Sequence, residues 1–285
     1  MNLHRVLALS VLLTAIQSND RVIKVDVNLV SVNVTVTDAR NRYVQGLSRQ
    51  SFRVWEDKFE QPIRFFSTED APITLGIILD RSGSMGASAA FPIASGDAAS
   101  CLRGGVREDE YFMIEFSNAP KLVAEFTTEM SKLRERLLYV RPGGRTALWD
   151  AIYMGVAKLE GASNSRKALL VLTDGAENHS RYTLNELKTF LREKDVRIYF
   201  FREGVAQLAS LTGGRVFTTT NPCQELKSDL SNQYVIGYEP TNTARDGKWR
   251  DIRVRVDSSG LPKELSDLSV RVRAGYYAAL PAEDL

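Results

Sequence analysis

Apolar residues change period twice along the chain. From 22 to 66 they alternate: Val25, Val27 and Leu29 fall on one phase, and Val30, Val32, Val34 and Val36 on the other. That is strand behaviour with a phase slip, which predicts a bulge or a strand that changes partner. The run SFRVWEDKFEQPIRFF (51–66) then predicts a hairpin around Glu56-Asp57-Lys58, with Pro62 restricting its second half to an edge or a strand start. From 72 to 231 the pattern alternates between two kinds of segment. ITLGIILD, DEYFMIEF, KALLVLTD and VRIYFF are almost continuously apolar, as strands covered on both faces of a parallel sheet require. KLVAEF follows DEYFMIEF after Ser117-Asn118-Ala119-Pro120, a hairpin spacing, and predicts an antiparallel edge strand.

Helical spacing appears between the strands. Leu133, Leu137 and Leu138 share a face over 130–139; Leu148, Ile152, Val156 and Leu159 over 147–159; and Leu187 with Leu191 over 184–191, with Thr183 or Asn185 as N-cap. The βαβαβ alternation predicts a doubly wound, Rossmann-like α/β domain. From 233 to 277 strand character returns in QYVIGYEP, WRDIRVRV and SVRVRAGYY, with TNTARDG as a turn. Both ends of a doubly wound domain emerge opposite its ligand edge. The two β zones should therefore build one β-sandwich-like domain with the α/β domain inserted into it.

The expected organisation is a signal peptide at 1–18, an N-terminal β segment at 19–70, the α/β domain at 71–232, a C-terminal β segment at 233–278 pairing with 19–70, and a tail at 279–285. The leader follows from a basic start and an eleven-residue apolar stretch, Val6 to Ile16, too short to span a bilayer. A secreted or periplasmic protein is implied, with no transmembrane segment in the mature chain. Cys101 and Cys223 invite a disulfide in that setting. Cys101 is expected at the far end of the first helix and Cys223 at the ligand-edge end of the last. A span beyond the ~7 Å bridging limit predicts two free buried thiols.

Composition adds little. Lys and Arg number 37 against 35 Asp and Glu, a net charge of +2 that gives no case for a nucleic-acid or membrane-surface binder.

The chemistry sits in LGIILDRSGSMG (75–86). A buried strand ends on Asp80 and hands the chain to Ser82 and Ser84, with Gly83 and Gly86 allowing a tight bend. RPGGRTALWDAI places Thr146 before a helix, and LLVLTDG places Asp174 at a strand end. All fall on loops of one sheet edge, where open α/β sheets bind ligands. Carboxylates with hydroxyls form a hard oxygen set suited to Mg²⁺ or Mn²⁺. The D-x-S-x-S, G-G-x-T-A-L-x-D-A-I and T-D-G segments, in that order, resemble the von Willebrand factor type A fold with its metal-ion-dependent adhesion site, over about residues 72–231. The flanking β segments look like those of an exported bacterial branch. The resemblance implies that Asp80, Ser82, Ser84, Thr146 and Asp174 surround one divalent cation (Mg²⁺, or Mn²⁺ or Ca²⁺), some through water. It also implies that an Asp or Glu of a partner protein fills the open position, which is binding without catalysis.

Asp150 reads as a helix residue near the site, and Glu177, Asn178 and His179 as rim. The alternative class is a hydrolase using the same ion to activate water, which needs a base such as His179 or Glu177 aimed at the open position. No G-x-S-x-G elbow or Walker loop is present.

Overall fold

The computed structural model describes residues 29–68, 71–87, 90–102, 108–137, 141–202, 205–218, 221–259, 262, 265 and 267–280. The expected leader lies outside them. In chain order the strands are β1 (Val30–Asp38), β2 (Phe52–Glu56), β3 (Phe59–Gln61), β4 (Ile63–Ser67), β5 (Ile73–Asp80), β6 (Glu110–Phe116), β7 (Pro120–Thr127), β8 (Arg166–Thr173), β9 (Arg197–Arg202), β10 (Val216–Phe217), β11 (Gln233–Tyr238), β12 (Trp249–Val256), β13 (Leu268–Arg271) and β14 (Gly275–Tyr277). The helices are α1 (Gly83–Ala87), α2 (Ala90–Cys101), α3 (Met130–Leu137), α4 (Leu148–Leu159), α5 (Leu184–Arg192), α6 (Ala206–Thr212) and α7 (Pro222–Ser231).

The central sheet runs β10-β9-β8-β5-β6-β7. β5 pairs in parallel with both β6 and β8, β8 with β9, and β9 with β10, whereas β7 is an antiparallel edge, as its hairpin spacing predicts. All eight residues of β5 are buried because successive side chains feed opposite faces. Ile77 and Leu79 join Leu170, Leu172 and Phe201 beneath α2, α3 and α7. Ile78 joins Leu169, Val171 and Phe200 beneath α4, α5 and α6. The molecule is thus an α/β fold of the doubly wound, Rossmann-like kind.

Two antiparallel sheets, β13-β1-β11-β4 and β14-β12-β2-β3, flank it. Chain segments from both ends build them: β1 pairs with β11, placing Val32 opposite Ile236, and β2 with β12, placing Val54 opposite Val254. Val32, Val34, Val36, Ile236, Phe52 and Ile252 share a core there. Two runs that read as single units divide between the sheets. Pro62, which has no N–H for a ladder, separates β3 from β4, and each lies at an edge of a different sheet. The run SVRVRAGYY likewise splits, β13 pairing β1 and β14 pairing β12.

Asp229 of α7 ties the sandwich to the central sheet. It is fully buried and accepts hydrogen bonds from Tyr199 (2.7 Å) and Tyr43 (3.3 Å) and an ion pair from Arg271. Arg197, at the start of β9, reaches Thr35 of β1 (3.0 Å) and lies 3.9 Å from the Asp229 carboxylate.

The two thiols are not free. Cys101 and Cys223 form a disulfide, their Cα atoms 5.1 Å apart. The end of α7 meets the first residues of β8 and β9, since the Leu230 carbonyl accepts from Arg166 and Asp229 faces Arg197. Ten helical residues rise about 15 Å, whereas eight strand residues span about 26 Å. So α7 starts partway up the sheet, beside the last residue of α2, instead of at the ligand edge.

Candidate metal centre

β5 lies where the winding reverses, with β6 on one side and β8 on the other. The carboxyl ends of these strands deliver Asp80, Ser117 and Asp174 to one edge. Asp80 is fully buried. Its Oδ1 accepts from the Ser82 backbone N–H (2.8 Å) and its Oδ2 from the Thr173 hydroxyl (2.7 Å). The Ser82 and Ser84 hydroxyl oxygens are 3.1 Å apart.

The loop bearing Thr146 is clamped to the Asp80 loop by a reciprocal pair of backbone bonds. Gly83 N–H donates to the Gly144 carbonyl (2.9 Å) and Gly143 N–H to the Arg81 carbonyl (2.7 Å). Gly144 has φ +90°, a conformation that side chains rarely adopt, and a Cβ there would stand 2.9 Å from Asn118 Oδ1 and displace it. Ala147 N–H donates to the Ser117 carbonyl (2.8 Å), which fixes the start of α4 against the β6–β7 turn.

A third set of bonds joins Thr146, itself buried, to the Asp174 loop. Asn178 Oδ1 accepts from Thr146 N–H (3.0 Å), and the Thr146 carbonyl accepts from Asn178 and His179 N–H (both 3.0 Å). Asp174 follows β8 directly and accepts from Ala176 N–H (3.2 Å). The Asp80, Ser82 and Ser84 groups are therefore hydrogen-bonded neighbours, and the Thr146 and Asp174 segments are bonded into the same edge.

The two acids at this edge act on each other. Burial raises the Asp80 pKa, its bonds to Thr173 and Ser82 oppose that rise, and the negative charge of Asp174 adds to it. Among the described residues neither carboxylate forms an ion pair with Lys or Arg. Among the described residues no group of three or more His, Cys, Asp or Glu gathers, so a cation at this edge would have to draw on the two carboxylates and the hydroxyls of Ser82, Ser84 and Thr146. Such a set fits a hard divalent cation and fits zinc poorly.

The neighbouring polar residues are already engaged. Asp150 accepts from the N–H groups of Arg181 and Tyr182 and from the Arg181 side chain, which spends both its oxygens away from the metal edge. Glu177 accepts from Leu148, Trp149, His179 and Ser180 N–H and from the Ser180 hydroxyl. His179 Nδ1 lies 3.4 Å from an Arg145 guanidinium nitrogen. Thr173 escaped the motif because it is an ordinary strand-end residue in sequence. Its adjacency to Asp174 was the only signal, and the pairing of β8 beside β5 gives it its role.

Residues 75–177 match the family model of the von Willebrand factor type A domain. Solved structures with similar architecture include the conserved hypothetical protein BatB from Bacteroides thetaiotaomicron (15% identity, TM-score 0.48, covering 56% of this chain and 97% of that one). Proximal thread matrix protein 1 from the mussel byssus, with a zinc-occupied MIDAS motif, shows 15% identity and a TM-score of 0.48, covering 61% of this chain and 49% of its own. The vWF domain of the pilus tip protein Mfa5 from Porphyromonas gingivalis shows 16% identity and a TM-score of 0.35, covering 38% and 39%. At such identities these likenesses carry no argument about function. Comparison with curated protein sequences finds no match. The stretch from 75 to 177 that matches the von Willebrand factor type A model carries all five oxygen-bearing residues.

Proposed function

We propose that this protein is an exported, divalent-metal-dependent protein-binding module. Asp80, Ser82, Ser84, Thr146 and Asp174 hold one cation, Mg²⁺ in the first instance with Mn²⁺ or Ca²⁺ as substitutes, some of them through water. When bound, the ion supplies an electrophilic position that takes a carboxylate of a partner protein. The observation that carries this reading is the pair of carboxylates at the sheet edge, one fully buried, with no Lys or Arg paired to them among the described residues. Asp80 is held in place by Ser82 and Thr173, so the chain orients the donor before any ion arrives.

The hydrolase alternative gains no support from the neighbours. Glu177 is committed to five hydrogen bonds and His179 faces Arg145, so neither is offered as a base. Among the described residues no helix is long and apolar enough to cross a membrane. We assign residues 1–18 as the export signal, 71–232 as the A domain, 19–70 with 233–278 as the β unit around it, and 279–285 as a tail.

Thermal unfolding of the full chain tests the site. Millimolar Mg²⁺ should raise the melting temperature, since a ligand at a hundred times its Kd stabilises by about 2.7 kcal/mol. Asp80→Ala should abolish the Mg²⁺ response, and an undiminished response in that variant removes the assignment.

A further inference from the structure

A groove of about 540 Å³ opens beside the metal edge, between the β6–β7 turn, the body of α4 and the segment ending at Tyr182. Its apolar wall is built of stacked rings. Tyr153 stacks on Tyr182 with ring centroids 4.3 Å apart and on Phe190 at 3.9 Å, with Met154 and Pro120 completing the lining. Two of its lining residues bond to the loop that carries Thr146. His179 donates its N–H to the Thr146 carbonyl, and Asn118 accepts the Arg145 N–H at 2.7 Å.

The charge around it is one-sided. Arg181 lines the groove with a side chain 81% exposed, its Nε bonded to Asp150 and its guanidinium 5.9 Å from the centre of the Tyr182 ring. Arg145 is exposed at the mouth and pairs with no carboxylate among the described residues. The one acidic side chain in the lining, Asp150, is buried and fully bonded. A chain with a net charge of only +2 thus places Arg145, which has no carboxylate partner among the described residues, and the exposed end of Arg181 beside an apolar slot.

We infer that this groove selects the partner: it takes an acidic peptide segment in which the metal-bound carboxylate is followed, within a few residues, by an aromatic or aliphatic side chain and a second carboxylate. The apolar side chain packs against Tyr153 and Tyr182, and the second carboxylate is received at the rim by the positive charges of Arg145 and Arg181. This inference rests on the metal-dependent binding proposed above and adds the chemistry of the partner.

The probe is a random twelve-residue peptide library displayed on phage and selected on the full chain in Mg²⁺. The best peptide is then measured by fluorescence anisotropy. Recovered peptides should share the acidic–apolar–acidic order. Binding should weaken at least tenfold in the Arg145→Glu/Arg181→Glu pair and stay within about threefold in the Arg145→Lys/Arg181→Lys pair, because rim charge sets much of the encounter. If the reversed pair does not fold, Arg145→Gln/Arg181→Gln makes the same comparison with a smaller loss.

Recovery of no peptide, of peptides without the acidic–apolar–acidic order, or of peptides indifferent to loss of both guanidinium charges overturns the groove assignment. The metal reading is judged separately. If Mg²⁺ stabilises the wild-type chain and chelator releases the peptide, while the Arg variants bind unchanged, only the groove falls. If Mg²⁺ has no effect on the wild-type chain, the metal reading falls with it.

Discussion

Glu177 spends its whole carboxylate on holding two distant segments together. It accepts from the N–H groups of Leu148 and Trp149 at the start of α4 and from His179 and Ser180 in its own loop. Hydrogen bonds to a charged group contribute about 1.5–3 kcal/mol each when the partners would otherwise be stranded, and they do not add fully. Glu177→Ala should therefore destabilise by about 2–4 kcal/mol in urea unfolding, with Glu177→Gln losing less. Glu177 could be marked from sequence as a neighbour of the T-D-G loop, but its task could not, because its partners lie 28 and 29 positions away. Asp80, Ser82 and Ser84 were legible because strand end, acid and hydroxyls follow one another within five residues.

Helix starts show the same division between local and remote support. α5 is capped by its own sequence: Thr183 accepts from Glu186 N–H (3.3 Å), and Glu186 accepts from Thr183 N–H (2.8 Å). α4 follows Ala147, whose side chain cannot cap, so Glu177 and the Ser180 hydroxyl take over its first N–H groups. Thr183→Ala should cost about 1 kcal/mol by equilibrium unfolding. The bond from Thr183 N–H holds the Glu186 pKa below its ordinary 4.5. A depressed acid contributes stability that is present above its unfolded pKa and lost as pH falls through the folded one. The acid side of the stability profile should flatten in Glu186→Gln, read by unfolding between about pH 5 and 3.

Across the whole molecule, the Asp229 cluster ties the flanking β segments to the central sheet, and the Cys101–Cys223 bridge ties α2 to α7 on one face of that sheet. The bridge closes a loop of 122 residues, a length for which chain entropy implies about 3–5 kcal/mol. Cys101→Ser/Cys223→Ser should lose that much in oxidising buffer, and reductant should lower the stability of the wild-type chain but not of the double variant. The sandwich made from both flanking segments follows from the topology of a doubly wound domain, whose ends leave from the same side. The splitting of SVRVRAGYY between two sheets did not follow, since alternation marks a strand without naming its neighbour.

What the linear chain determined by itself is whatever depends on near neighbours: the buried strands, the hairpin that adds β7, the capping box of α5, and the strand-end acid with its two serines. Those rest on side-chain period, turn chemistry and short hydrogen bonds, all readable within a few positions. Only the tertiary structure decided the pairing of the cysteines, the cap borrowed by α4, the bond from Thr173 to Asp80 and the groove beside Thr146. Each of these depends on how far a helix reaches along a sheet or which loops meet at its edge, and such distances are set by packing, not by spacing in the chain.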